Sequence, residues 1–352
     1  FIDFERPEAQ MNILIVKLSA IGDVIHTLPS LAALRKLYPE AHITWVVEEA
    51  AADLVKNHPM LDAVLISRRK SWIKSLRQGE FSRPLREMRA FLRELRKSPY
   101  DLVIDFHGLL KSAVIVLLSG GQRKLGYDSL QELSGLFYNE KIPEDINKHA
   151  VDRYLDFPRY LGAKIEKAQF PLPADNAAQN RIQLLLAKHH LENKKFIAVN
   201  PVAYWETKLW DDEKFARLAD LIKTKLNIEV VFTGSEKESI AKITVQMQDK
   251  AVNLAGETTL SELAYLYKKA LMLITTDSGP MHLAAAVGTP VIALFGPTDP
   301  QRTGPYGEGH TIIRTDLPCS PCLLKRCPTK KCMQDILPEQ VMAAIEHKLE
   351  AS

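Results

Sequence analysis

Two turns in the 352-residue sequence carry acids where chemistry would want them. The first is Lys17-Leu18-Ser19-Ala20-Ile21-Gly22-Asp23, between an apolar run and a helical pattern. Gly22 permits a tight bend and close approach of a ligand. A carboxylate at this place, Asp23, can accept a proton as a general base; the same residue is also an ordinary N-cap. His26, three residues on, reads as a packed helix residue. The second turn is Thr275-Thr276-Asp277-Ser278-Gly279-Pro280-Met281-His282. It ends a buried strand in an acid and opens a helix with Pro in its first turn. Free amides at such a helix start suit an anion, for instance a diphosphate. Pro280 has no N–H, so Ser278, Gly279 and Met281 are the expected donors. A plain helix capped by Ser278 would use the same residues.

Other positions carry less specific signals. Glu238 follows the apolar run ending at Thr233-Gly234, where a carboxylate can accept hydrogen bonds from ribose hydroxyls; a Glu in a first helical turn is also commonplace for dipole reasons. Lys208, in Trp205-Glu206-Thr207-Lys208-Leu209-Trp210, can neutralise a phosphate or simply solvate a surface. From Arg68 to Lys97 eleven basic residues face three acids, Glu80, Glu87 and Glu94. That local charge of +8 stands in a chain whose net charge is only +3. Within it Leu85, Met88, Leu92 and Leu95 form an apolar stripe, with Arg86, Arg89, Arg93 and Arg96 one position later. This is an amphipathic helix with a cationic flank. A polyanionic substrate, an anionic membrane, nucleic acid or plain solvent would each suit it. Trp72 and Phe81 interleave with the charges. All four cysteines fall in Cys319-x-x-Cys322-x₄-Cys327-x₄-Cys332, a spacing that matches no common zinc module; they are candidates for a structural zinc site, an iron–sulfur cluster, reduced and locally packed thiols or an adventitious disulfide.

These residues need a scaffold that brings turns together. Hydrophobic residues are 46% and charged residues 25% of the chain, which excludes disordered and fibrous classes. The longest apolar run, residues 113–118, is far short of the roughly 20 residues of a membrane span. The apolar run after Met11 is broken by Lys17, so no secretory signal is expected. Met11 reads as the native start and residues 1–10 as an expression remnant. The expected setting is cytoplasmic. Apolar strand-like runs at residues 12–17, 42–47, 63–66, 101–105, 195–200, 229–233, 251–254, 271–275 and 290–294 alternate with helical patterns. Alternation means parallel sheets covered by helices. It lapses once, between about 126 and 175, and Pro171-Leu172-Pro173 then punctuates the chain. Two doubly wound α/β domains are expected, with ligands at the carboxyl ends of their strands. There is no G-x-G-x-x-G, no G-x-x-x-x-G-K-[ST], no G-x-S-x-G and no Asp-x-Asp. A phosphate-binding enzyme without a metal-holding acid pair must rely on Lys, Arg and helix N-termini.

The strand-plus-turn Lys17-x-Ser19-x-Ile21-Gly22-Asp23-Val24-Ile25-His26-Thr27-Leu28-Pro29, then Lys208-x-Trp210, then Asp277-Ser278-Gly279-Pro280-Met281-His282-Leu283-Ala284, resemble glycosyltransferase family 9. These are bacterial ADP-heptose:lipopolysaccharide heptosyltransferases. Gly108-Leu109-Leu110-Lys111-Ser112-Ala113, Leu136-Phe137-Tyr138-Asn139-Glu140-Lys141 and His149-Ala150-Val151-Asp152-Arg153 look most like the members that add the first heptose. The cysteine loop is similar to loops in other members, including those that add the second.

The resemblance implies a GT-B fold, two Rossmann-like domains facing across a cleft. Residues 11–170 would bind the acceptor and 171–336 the nucleotide sugar, with 337–352 a helix packing back toward the first domain. It implies inverting, metal-independent transfer from ADP-heptose to Kdo of lipid A, with no cofactor required. Asp23 matches the base and Lys208 the diphosphate contact. Glu238 matches the ribose contact and Asp277 the heptose-hydroxyl contact, with Thr276, Ser278, Gly279, Met281 and His282 around the donor. Ser19, Gly22, Arg68, Arg69, Lys70 and Lys111 fall on the acceptor side. A further acceptor arginine has no counterpart in residues 128–135. The expected location is the cytoplasmic face of the inner membrane, held by peripheral contact with its anionic surface. A metal-bearing nucleic-acid-binding module would leave the Asp277 turn unexplained, so nucleic acid is not an expected partner. A nucleotide-sugar epimerase would keep the fold and change the reaction.

Overall fold

The computed structural model describes residues 10–129 and 131–351. All of the expected remnant 1–10 except Gln10 lies outside them. The chain divides into two units between Ala174 and Asp175.

The first unit runs β1 (Asn12–Val16), α1 (Ile21–Leu37), β2 (His42–Glu48), β3 (Ala63–Ser67), α2 (Arg69–Arg77), α3 (Ser82–Leu95), β4 (Leu102–Asp105), α4 (Leu110–Ser119), β5 (Arg123–Tyr127), β6 (Glu140–Ile142) and α5 (Ala150–Tyr160). Its six strands lie in the order β3-β2-β1-β4-β5-β6, all parallel. Ile13 to Val16 are fully buried, as are Leu102 to Ile104. Such unbroken apolar runs arise because helices cover both faces of a parallel sheet.

The second unit runs α6 (Asn176–Lys188), β7 (Phe196–Asn200), α7 (Asp212–Leu226), β8 (Glu229–Phe232), α8 (Lys237–Thr244), β9 (Val252–Asn253), α9 (Leu260–Lys269), β10 (Leu273–Thr276), α10 (Gly279–Ala286), β11 (Val291–Phe295), α11 (Pro300–Thr303), β12 (Thr311–Arg314), α12 (Lys331–Gln334) and α13 (Pro338–Glu350). Its strand order, β12-β11-β10-β7-β8-β9, repeats the first with all strands parallel. Both are Rossmann-like doubly wound sheets. In each, strand order reverses between two neighbours, β1 and β4 in one and β7 and β10 in the other. That switch point leaves a crevice at the carboxyl ends of the strands.

Nine strands fall where apolar runs predict them. Three do not. β5, β6 and β12 are short and charged, as edge or near-edge strands tend to be, so hydrophobicity does not mark them. β6 also interrupts the segment expected to lack strands. In α3 the apolar stripe is rotated: Leu85 is exposed, while Pro84, Met88, Phe91, Leu92 and Leu95 turn inward. Trp72 is buried rather than displayed. It meets Phe91 edge-on at 5.7 Å and donates to Glu87 Oε2 at 2.8 Å, bonding α2 to α3. α13 buries Val341, Met342 and Ile345 in the second unit's own core, against α7 and β11.

Candidate active site

In the first unit the switch point is built from the turns after β1 and β4. Asp23 is the third residue of α1, not its N-cap. From there its Oδ2 reaches back to accept the amide of Ala20, the N-cap residue, at 3.0 Å. Its Oδ1 accepts the hydroxyl of Tyr154, on α5, at 3.0 Å. Tyr154 in turn accepts Lys17 Nζ at 2.6 Å. Lys17 ends the β1 run, fully enclosed, and also donates to the Phe106 carbonyl at 2.9 Å. Its ammonium lies 3.8 Å from Asp23 Oδ1, and 41% of the Asp23 side chain is exposed. The carboxylate is therefore anchored from behind and open in front.

The electrostatics follow from this arrangement. Burial works to raise the Asp23 pKa, but the Lys17 charge, the Ala20 N–H and the Tyr154 hydroxyl outweigh it. The group titrates below an ordinary aspartate. Burial pulls the Lys17 ammonium below its usual range, against the attraction of Asp23 and Asp105. Burial, then the Asp23 charge, pushes the Tyr154 hydroxyl well above its ordinary value, so it stays a donor.

Asp105 ends β4 and holds the neighbouring turn. It accepts His107 N at 2.8 Å, Gly108 N at 3.2 Å and Tyr138 Oη at 2.7 Å. Gly108 adopts φ +67°, which lets the chain curl over the carboxylate. Both ring nitrogens of His107 are buried without a hydrogen-bond partner. Burial, then Lys17 and Lys111, pushes its pKa down to about 3.

The expected acceptor residues gather at the same end of the sheet. Lys111 donates to Ser19 Oγ at 3.3 Å. Gly22 is buried in the first turn of α1. Arg69 and Lys70 pair with the two oxygens of Glu48, at 3.1 and 3.3 Å, and Arg68 pairs with Glu49 at 3.0 Å. Glu48 is buried at the end of β2. Sequence reasoning missed it, together with Lys17 and Tyr154. For Lys17 a signal exists: a lysine ending a buried strand needs an anion beside it. Tyr154 carries no such signal.

In the second unit, Lys208 follows β7 and Asp277 follows β10. Their side chains pair at 2.6 Å, and Thr298, after β11, donates to the same Asp277 oxygen at 2.6 Å. Ser278 is the N-cap of α10, yet its hydroxyl makes no capping bond and meets Thr275 Oγ1 at 3.3 Å. Met281 N donates to the Ser278 carbonyl at 3.2 Å, so that amide is taken up inside the turn. The Met281 side chain is fully buried and His282 nearly so, which leaves Ser278 and Gly279 as the outward part of the motif. Thr276 Oγ1 is buried without a hydrogen-bond partner. Glu238 lies exposed in the first turn of α8.

The cysteine loop leans on this half-site. Thr207, next to Lys208, donates to the Leu324 carbonyl at 2.7 Å. Ser320 donates to the Gly296 carbonyl at 2.6 Å, and the Cys322 and Leu323 amides to that of Pro297. Lys325 sits 5.3 Å from the Trp205 ring centre. The sequence offered no reason to place the loop there. The four thiols are free, and among the described residues no three His, Cys, Asp or Glu side chains converge to hold a metal. Cys327 Sγ instead lies 3.8 Å from Thr329 Oγ1.

Comparison with known proteins gives this site its family. Residues 88–333 match the model for glycosyltransferase family 9 (heptosyltransferase). The chain belongs to glycosyltransferase family 9. It is 32% identical over 334 residues to lipopolysaccharide heptosyltransferase 1 of Pseudomonas aeruginosa, covering 92% of this chain and 90% of that protein. A family 9 glycosyl transferase from Veillonella parvula superposes with a TM-score of 0.84 at 26% identity, over 98% and 99% of the two chains. The E. coli heptosyltransferase WaaC with ADP-2-deoxy-2-fluoro heptose gives 0.74 at 27%, over 96% and 99%. The fold of this glycosyltransferase is thus GT-B. Asp23 lies outside the matched family residues.

Proposed function

We propose that this glycosyltransferase moves a heptose from ADP-heptose to Kdo of lipid A in lipopolysaccharide inner-core synthesis, with inversion at the anomeric carbon and without a metal. The relatives' names and the nucleotide-sugar analogue held by the E. coli enzyme support the donor and the reaction. The observation that carries the mechanism is the Asp23 carboxylate, kept ionised by Lys17 and Tyr154 and open on one side.

In this reading the acceptor hydroxyl gives its proton to Asp23 as its oxygen forms a bond to the anomeric carbon. The bond from that carbon to the diphosphate breaks, and the electron pair leaves with ADP. Negative charge grows on the departing diphosphate, where fixed donors act more on the transition state than on the ground state. Lys208 and the amides of Ser278 and Gly279 serve there. Asp277, relieved of Lys208, accepts from heptose hydroxyls, and Glu238 from the ribose. Arg68, Arg69, Lys70 and Lys111 receive the acidic acceptor, whose carboxylates and phosphates match them in charge. Work on a lipid acceptor also calls for peripheral contact with the anionic cytoplasmic face of the inner membrane. Among the described residues no helix is long and apolar enough to cross a membrane.

The test is mass spectrometry of products from ADP-heptose with Kdo-lipid A and, separately, with the singly heptosylated core. One added heptose on the first acceptor is expected; addition only to the second makes the enzyme a second-heptose transferase. Asp23→Asn should lower turnover by about 10²- to 10⁴-fold with ADP binding retained. Wild-type turnover in that variant would remove Asp23 as the base.

A further inference from the structure

One helix beside the acceptor cations displays an apolar face that the reaction does not use. Along α4, Leu110, Val114 and Leu117 fall at i, i+4 and i+7 and are 46%, 41% and 50% exposed. The turn Gln131–Phe137 packs along α4 and adds Leu133 and Leu136, still more exposed. Within it Glu132 and Leu133 adopt left-handed backbone, φ 50° and 62°. That conformation costs roughly 1–2 kcal/mol per residue for a side chain with a Cβ. Five large apolar side chains on neighbouring elements exceed the scattered exposure of an ordinary surface.

The charges around this face identify what covers it. Arg69, Lys111, Leu110 and Val114 line one shallow depression with Leu109 and a single acid, Glu132. α3 packs beside α4, tied by Arg96 Nε to the Leu118 carbonyl at 2.7 Å, and carries Arg86, Arg89 and Arg93 exposed. A second copy seated on this face by two-fold symmetry would bring like cations together. An anionic bilayer surface satisfies both parts, with acyl chains against the leucines and phosphates against the guanidinium and ammonium groups.

We infer that the α4 face, with Val114 and Leu117 at its centre and Arg69 and Lys111 at its edge, is where this protein seats on an anionic lipid bilayer. The inference names the surface behind the membrane contact proposed above and rests on that reading. The lipid part of the acceptor then approaches along α4 with its acidic head at the Arg69–Lys111 end.

The experiment is co-sedimentation of the full chain with phosphatidylcholine vesicles, with and without about a third phosphatidylglycerol. Wild type should bind the anionic vesicles, and Val114→Asp or Leu117→Asp should weaken binding about tenfold. Leu184→Asp, at an exposed leucine on α6, should leave it unchanged. Transfer to a deacylated, water-soluble acceptor should survive in Leu117→Asp. Absence of wild-type binding, or wild-type binding in both α4 variants, overturns the inference. So does a wild-type dimer in sedimentation velocity that these variants split. If vesicle binding is lost as expected but no protein transfers heptose, the surface stands and the proposed reaction falls.

Discussion

Tyr154 donates to Asp23 Oδ1 at 3.0 Å while accepting Lys17 Nζ at 2.6 Å, so one hydroxyl couples a buried cation to the carboxylate at the switch point. Hydrogen bonds to a charged group contribute roughly 1.5–3 kcal/mol each. Tyr154→Phe keeps the ring and removes that bond. The acid limb of kcat/KM, which reports a base lost as pH falls through its pKa, should move to higher pH. Lys17→Met should move it the same way, because the Lys17 charge is the larger lowering influence. Unchanged limbs in both variants would show that the chain from Lys17 to Asp23 only supports the fold.

Lys208 is the cation that Asp277 holds at 2.6 Å. Lys208→Ala removes the side chain expected to meet the diphosphate. ADP affinity by calorimetry should fall about 10- to 100-fold. Binding as tight as wild type would move the diphosphate elsewhere.

His107 ties stability to pH. Its pKa lies near 3 in the folded chain against an ordinary value of 6.5, so between those values the unfolded chain binds the extra proton. Stability from this group is present above pH 6.5 and falls as pH drops toward 3. From about pH 7 to about pH 5 the loss is about 2 kcal/mol. His107→Gln should remove that part of the slope, read from urea unfolding of both proteins at the two pH values.

Gly296 lies under the cysteine loop. A Cβ there would stand 2.7 Å from Met333 Sδ and 2.9 Å from Cys332 Sγ. Gly296→Ala should cost about 1–3 kcal/mol through overpacking. Because Thr298, which holds Asp277, lies two residues on, and the loop that Gly296 and Pro297 hold accepts from Thr207, the thermal shift produced by ADP should also shrink. A lower Tm with a full ADP shift would show the loop to be independent of the donor half-site.

Much of this protein is written locally. Short unbroken apolar runs such as residues 13–16 and 291–294 read as strands buried on both faces, and their alternation with helical patterns sets the doubly wound class; the longest run, 113–118, lies in the helix α4, so an apolar run by itself does not separate the two. Asp23, Asp277 and Lys208 were legible because each follows such a run, where a parallel sheet offers its ligand site. The charged strands β6 and β12 at the sheet edges, and β5 next to the edge, were not legible, because strands toward the edge of a sheet need no continuous apolar signature.

Tertiary structure decided how the acids are tuned. Tyr154 lies 131 residues from Asp23, in the segment whose pattern said least, and only the packing of α5 on α1 brings its hydroxyl to that carboxylate. Residue order likewise says nothing of Glu48 beneath Arg69 and Lys70, or of the cysteine loop braced on Thr207 and Gly296. Periodicity records which face of an element is buried, a one-dimensional property. Which groups meet at a strand end depends on strand order and helix packing, and these are settled only when the whole sheet closes its core.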